Sequence, residues 1–187
     1  NRQEEAVTLL EKAFALDMTD ARILMELDQL YKRLNRSHED RLAFLKKHKD
    51  IAFQRDDLYL EYVTLLNQLG QYEEAIRMID ARKFHPWEGG EGKVPAQYQL
   101  ARVELVKQLL AEKKYEEALA LIEECFIYPH NLGEGKLYGA QENDFNYYKA
   151  CALQALGREA EARELFLAAS TGNSQPAAAM YYNDQKP

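Results

Sequence analysis

The chain has 187 residues, 47% apolar and 29% charged, which is enough apolar mass for a sizeable core and too much for a disordered segment. Its 24 Lys and Arg against 31 Asp and Glu leave a formal charge of -7 with the basic residues scattered, which argues against a nucleic-acid partner. The uncharged apolar runs are far shorter than a membrane span and no targeting segment opens the sequence, so no membrane partner and a cytoplasmic placement are expected.

From the start of the chain, Glu4-Glu5-Ala6 leads into a helical run in which Val7, Leu10 and Phe14 share one face. An amphipathic helix is expected over residues 21–34, followed by one beginning near Ser37. Leu58, Tyr62, Leu65, Leu66 and Leu69 mark the next, over residues 58–69, and Gly70 stands where a left-handed residue closes a helix. Gln71-Tyr72-Glu73-Glu74-Ala75 then opens another. Residues 98–111 repeat the first pattern and Lys114-Tyr115-Glu116-Glu117-Ala118 the second; residues 144–156, Gly157 and Arg158-Glu159-Ala160-Glu161-Ala162 repeat both again. Ser174-Gln175-Pro176 resembles a helix start, so 174–187 is expected to form a short capping helix and tail. Cys125 and Cys151 both fall inside helical patterns, which suits core thiols better than a disulfide framework.

The internal repetition organises these elements. Small Ala6, Ala75, Ala118 and Ala162 occupy one position early in the second helix of each unit, and bulky Leu10, Ile79, Ile122 and Phe166 follow four residues later. Small residues let helices approach, and large ones fill the space between them. On these residues the chain resembles the tetratricopeptide-repeat family, with departures: Met18 replaces the usual proline, and Asp40 and Lys47 break the small-residue pattern. The resemblance implies one all-α domain over 1–187, an α-α superhelix of about four antiparallel helix pairs. Under that reading the first helix is the second of its unit, and Val7, Leu10 and Phe14 are expected to need a preceding element.

Two links are far longer than such repeats require. They span 84–97 and 128–141 and share Pro, Gly-Glu-Gly-Lys and Ala-Gln: Gly90-Glu91-Gly92-Lys93 with Ala96-Gln97, and Gly133-Glu134-Gly135-Lys136 with Ala140-Gln141. Duplicated loops at equivalent places in successive units should lie side by side. A phosphate loop needs Gly-x4-Gly-Lys followed by Ser or Thr after a strand, and neither loop has it. No helical His spacing or Cys pair supports a metal, so neither metal nor cofactor is expected, and no catalytic set converges. Two readings stay open. In the structural one the glycines make turns and Trp87 plugs a gap. In the other the loops form a binding lip from His85, Trp87, Glu88, Glu91, Lys93, His130, Asn131, Glu134 and Lys136.

In tetratricopeptide arrays the first helices line a concave face. The resemblance therefore places Met25, Gln29, Leu60, Thr64, Val103, Lys107, Tyr147 and Cys151 on it, without the Lys and Asn clamp that holds terminal carboxylates. The paired loop strings also resemble the C-terminal region of large bacterial proteins whose N-terminal domain of unknown function is similar to a galactose-mutarotase-like β-sandwich. What this implies is a non-catalytic scaffolding module that binds a peptide segment or its own upstream domain. The alternative it implies is an accessory part of a carbohydrate-active enzyme, whose loops help complete a sugar site.

Overall fold

Apolar residues at three- and four-residue spacing fold as helices throughout the computed structural model, which describes residues 2–136 and 140–172. The described residues contain ten α-helices, one 3-10 turn at His130–Leu132 and no strand, so the fold is all-α. The helices are α1 (Arg2–Leu16), α2 (Ala21–Arg33), α3 (His38–Lys47), α4 (Lys49–Ala52), α5 (Asp56–Gln68), α6 (Tyr72–Ala81), α7 (Lys93–Ala111), α8 (Tyr115–Glu124), α9 (Asn143–Ala155) and α10 (Glu159–Thr171). The expected capping segment 174–187 and residues 137–139 of the second loop lie outside the described residues.

One local device recurs four times. Helices α2, α5, α7 and α9 each end on a left-handed residue: Asn35 at φ 54°, Gly70 at 72°, Lys113 at 62° and Gly157 at 77°. The next amide then donates back to a carbonyl of the last turn: Arg36 N to Tyr31 O, Gln71 N to Leu66 O, Lys114 N to Leu109 O and Arg158 N to Leu153 O, at 2.9–3.0 Å. This closure satisfies carbonyls that the helix end leaves without partners and reverses the chain within a few residues. At Gly70 and Gly157 it is the turn expected from the sequence. At Asn35 and Lys113 a side-chain-bearing residue takes the same conformation.

The chain divides into two compact units, up to Gln71 and from Tyr72. In the first, α1 packs on α2, α2 on α3 and α4, and α3 on α5. Val7, Leu27 and Tyr31 form its core with Leu10, Leu30, Leu34 and Phe44 around them. Phe14 is also buried, edge-on to His48 at 5.0 Å, and of the three residues expected to need a preceding element Val7 and Phe14 are buried within this unit while Leu10 is half-buried. Asp20 and Ser37 cap α2 and α3, accepting from Arg22 N and Ile23 N and from Asp40 N respectively.

In the second unit α6 packs on α7, α7 on α8 and α9, α8 on α9, and α9 on α10. Ala75, Ala118 and Ala162 are buried where the repeat pattern wants small residues, and Ile79 and Ile122 are buried beside them. Each such Ile is worth about 1.5–3 kcal/mol of burial. Cys125 lies in this core with Val103, Val106 and Phe145, and burial pushes its thiol up to about 12; both cysteines are free thiols. Arg102 crosses the same layer. Its guanidinium sits 3.7 Å over the Tyr98 ring, donates from Nη2 to Asp80 at 2.8 and 2.9 Å and from Nε to Glu124 at 2.8 Å, and so links α6, α7 and α8.

Candidate functional site

The first loop is shorter than the repeats suggest. It ends at Gly92, and Lys93, expected in the loop, begins α7. Pro95 does not prevent this, because the first turn of a helix leaves its amides without helical acceptors. Gly92 supplies the left-handed residue at the junction, φ 72°, and its carbonyl accepts from Ala96 N at 3.1 Å.

The two loops lie side by side, as duplication predicts. Phe84 N donates to Asn131 O at 2.7 Å, the Asn131 side-chain amide donates to the carbonyls of Ile79 and Arg82 at 3.0 Å each, and Gly92 N donates to Glu134 Oε2 at 2.7 Å. Asn131 and Glu134 thus tie loop to loop. The shared string nevertheless folds differently in its two copies. Gly89 and Gly92 are left-handed in the first and Gly133 in the second, so aligned glycines do not carry matching conformations. A helix follows the first string at once, whereas α9 starts only at Asn143.

The candidate residues do not gather into one cluster. His85, Glu88, Lys93 and His130 are exposed; Lys136 is exposed and paired with Glu142; Glu91 accepts from Gly89 N at 3.2 Å. Among the described residues no group of three His, Cys, Asp or Glu is placed to hold a metal ion. Trp87 is half-buried with its indole laid against Gly90, where an added Cβ would stand 2.6 Å from ring atom Nε1 and closer still to Cε2. Because Trp87 is the sole tryptophan, Gly90→Ala is expected to lift the indole into water and red-shift the fluorescence of the folded protein by several nanometres, on the order of 5–10 nm. An unchanged spectrum would place the indole elsewhere.

What the fold does assemble is a cleft of about 340 Å³ between α7, the start of α9 and the second loop. Its apolar walls come from Pro95, Leu100 and Val103 of α7 and from Phe145 and Tyr148 of α9. Its polar groups are Gln99, Glu104, Lys107, Tyr128, Glu134 and Asp144. Ala96 and the pair Ala140-Gln141 also line it, so of the Ala-Gln shared by the two loops both alanines but only the second glutamine reach the cavity. Gln99 Nε2 donates to Tyr128 Oη at 2.7 Å and holds that ring in place. Lys107 pairs with Glu104 on its own helix, and its ammonium stands 5.5 Å from the Tyr148 ring centre.

Two of the cleft carboxylates, Glu134 and Asp144, are held away from their ordinary ionisation. Burial, opposed by the Gly92 amide and aided by the nearby Glu91 charge, holds Glu134 above the usual carboxylate range. Burial raises Asp144 likewise, against hydrogen bonds from backbone amides and the charge of Lys107. Desolvation disfavours the charged form, and only partners reverse it.

Of the residues expected on a concave face, Val103 and Lys107 line this cleft. Met25, Gln29, Thr64 and Cys151 are half-buried elsewhere, and Tyr147 is 48% exposed beside Tyr148 and Phe166. Leu60 corrects the expectation: it is 4% exposed, because α5 is apolar on nearly every side and buried accordingly. Sequence reasoning misses Gln99, Tyr128, Asp144 and Tyr148. Only the polar Gln99 inside an apolar stretch of α7 hints at a special environment. Among the described residues no helix is long and apolar enough to cross a membrane. No protein-family model matches the sequence.

Proposed function

We propose that the chain is a non-catalytic recognition module, which seats an extended peptide segment of a partner, or of an upstream domain, in the cleft between α7, α9 and the second loop. The observation that carries this reading is the cleft itself. It has the volume of one or two large side chains, apolar walls, and hydrogen-bonding groups at several points of its lining. A repeat scaffold with cross-tied loops supplies the rigid frame that such binding requires. The test is selection from a random peptide library followed by titration. Peptides should bind with Kd in the range of about 1–100 μM. Ala96→Trp, which fills the cleft from the first turn of α7, should abolish binding while leaving the helical circular dichroism unchanged. Equal binding by this variant would remove the cleft from consideration.

A second reading rests on the two neighbouring loop carboxylates, Glu91 and Glu134, and on the half-buried Trp87. In it the loops complete a sugar site of a carbohydrate-active enzyme, in the manner of the bacterial β-sandwich proteins the sequence resembles. Here oligosaccharides should quench Trp87 fluorescence, and Trp87→Ala with Glu88→Gln should impair the full-length enzyme. No loss of activity in that double variant would end this reading.

A further inference from the structure

The cleft is apolar along its walls yet unbalanced in charge. Among the described residues that line it, Lys107 is the sole cation and is already paired with Glu104. Among the described residues no cation pairs with the other two carboxylates, Glu134 and Asp144. Lys136, the nearest lysine along the chain to Glu134, is engaged by Glu142. Both carboxylates accept backbone amides, Gly92 N at 2.7 Å for Glu134 and Phe145 N at 3.1 Å for Asp144, and these amides orient the groups without neutralising them. Glu134 is half-buried and Asp144 stands exposed at the rim of the cleft, so the unpaired charge is costly chiefly at Glu134, and an arriving opposite charge can reach both. Leu100 and Val103 face Phe145 and Tyr148 across the space, and such walls suit an aliphatic stem.

From this we infer that the cleft is specific for a basic side chain, arginine or lysine, of the bound protein segment, with the stem against the apolar walls and the cationic head toward Glu134 and Asp144. The inference rests on the peptide-binding reading above and adds the chemistry of the residue received. Formal charge supports it, since a chain at -7 attracts a basic segment before contact. The one opposing charge, Lys107, becomes a control of reversed sign: removing it should improve the site.

The test uses the full chain and three capped pentapeptides that differ only at the central residue, arginine, norleucine or glutamate, titrated by amide-resolved NMR. The arginine peptide should shift the amide signals of Gly92, Val103 and Phe145 saturably. It should bind at least about tenfold more tightly than the norleucine peptide and lose that margin in high salt. Glu134→Gln with Asp144→Asn, which preserve shape and acceptor oxygens, should erase the preference. Lys107→Met should strengthen arginine-peptide binding severalfold. Equal binding of the arginine and norleucine peptides would overturn the inference while leaving the peptide-binding reading standing, and absence of saturable shifts from all three would overturn both. Weaker arginine-peptide binding by a folded Lys107→Met variant would also overturn it.

Discussion

Arg41→Met should destabilise the chain by about 3–5 kcal/mol, more than any other single side-chain change proposed for this molecule. Arg41 on α3 is 2% exposed and Asp28 on α2 is 0% exposed, and the two are joined by paired bonds, Nε to Oδ1 at 3.1 Å and Nη2 to Oδ2 at 2.7 Å. Nη2 also reaches Glu61 Oε1 on α5 at 2.6 Å, and Lys32 closes the group by donating to Glu61 at 2.9 and 3.2 Å. Two cations thus offset two carboxylates across three helices of the first unit. Removing Arg41 leaves Asp28 buried without a counter-charge, and the desolvation of that carboxylate dominates the loss.

The titration of the pair sharpens this prediction. Burial raises Asp28 above the usual carboxylate range even with Arg41 present. Burial would raise Glu61 as well, but hydrogen bonds from Arg41 and then Lys32 outweigh it and hold Glu61 low. For Glu61, with its folded value below the unfolded one, the stability contribution is present above the unfolded value and lost as pH falls through the folded one. For Asp28 the sign is opposite: the folded state binds the proton more readily, so lowering the pH favours folding. In Arg41→Met the second effect grows, and the deficit measured by urea unfolding should shrink between pH 7 and pH 5. Asp28→Leu added to Arg41→Met should recover most of the stability, because an apolar pair replaces a broken ionic one. A single-variant loss below about 1 kcal/mol would show that the group is hydrated in solution.

Gly133→Ala is the second large effect, expected at about 2–3 kcal/mol. Gly133 has φ +75°, and an added Cβ would stand 2.7 Å from the Phe84 carbonyl oxygen and 3.2 Å from its carbon. That obstacle is backbone, so no rotamer change relieves it. Phe84 is itself pinned, 2% exposed and bonded through its amide to Asn131 O. The contact between the loops must therefore open. Hydrogen exchange should speed up at the Phe84 and Gly92 amides together, since both are held by the second loop. Gly135→Ala is the control: it is not left-handed, and no heavy atom among the described residues would lie within 4 Å of a Cβ added there, so it should stay within about 0.5 kcal/mol of the parent. Equal effects of the two substitutions would mean that the loops are not docked as described.

The contrast between these two glycines shows where local sequence stops determining conformation. Gly133 and Gly135 stand in one Gly-Glu-Gly-Lys string, matched residue for residue by Gly90 and Gly92, yet Gly92 and Gly133 are the left-handed ones. The string has more than one low-strain conformation because glycine does, and the neighbour it packs against selects among them. Trp87 over Gly90 and the Phe84 carbonyl against Gly133 make that selection. Likewise Asn131 and Glu134 are candidates for ligand contact by residue type, and the fold gives them backbone partners, Ile79 and Arg82 at and just past the end of α6 for the Asn131 side chain and Gly92 of the other loop for Glu134.

Helical periodicity, the small and large positions of the repeat, the turns at Gly70 and Gly157 and the pairing of the two loops all follow from the order of residues alone. Each depends on neighbours three or four residues apart or on one segment copied from another, and such relations survive without three-dimensional context. The start of α7 at Lys93, the burial of Arg41 and Arg102, and the cleft between α7 and α9 were decided only in the tertiary structure. Those features depend on which helix faces which and how far apart they stand. A charged residue on one turn of an isolated helix looks the same whether solvent or a buried carboxylate awaits it, and packing alone makes the difference.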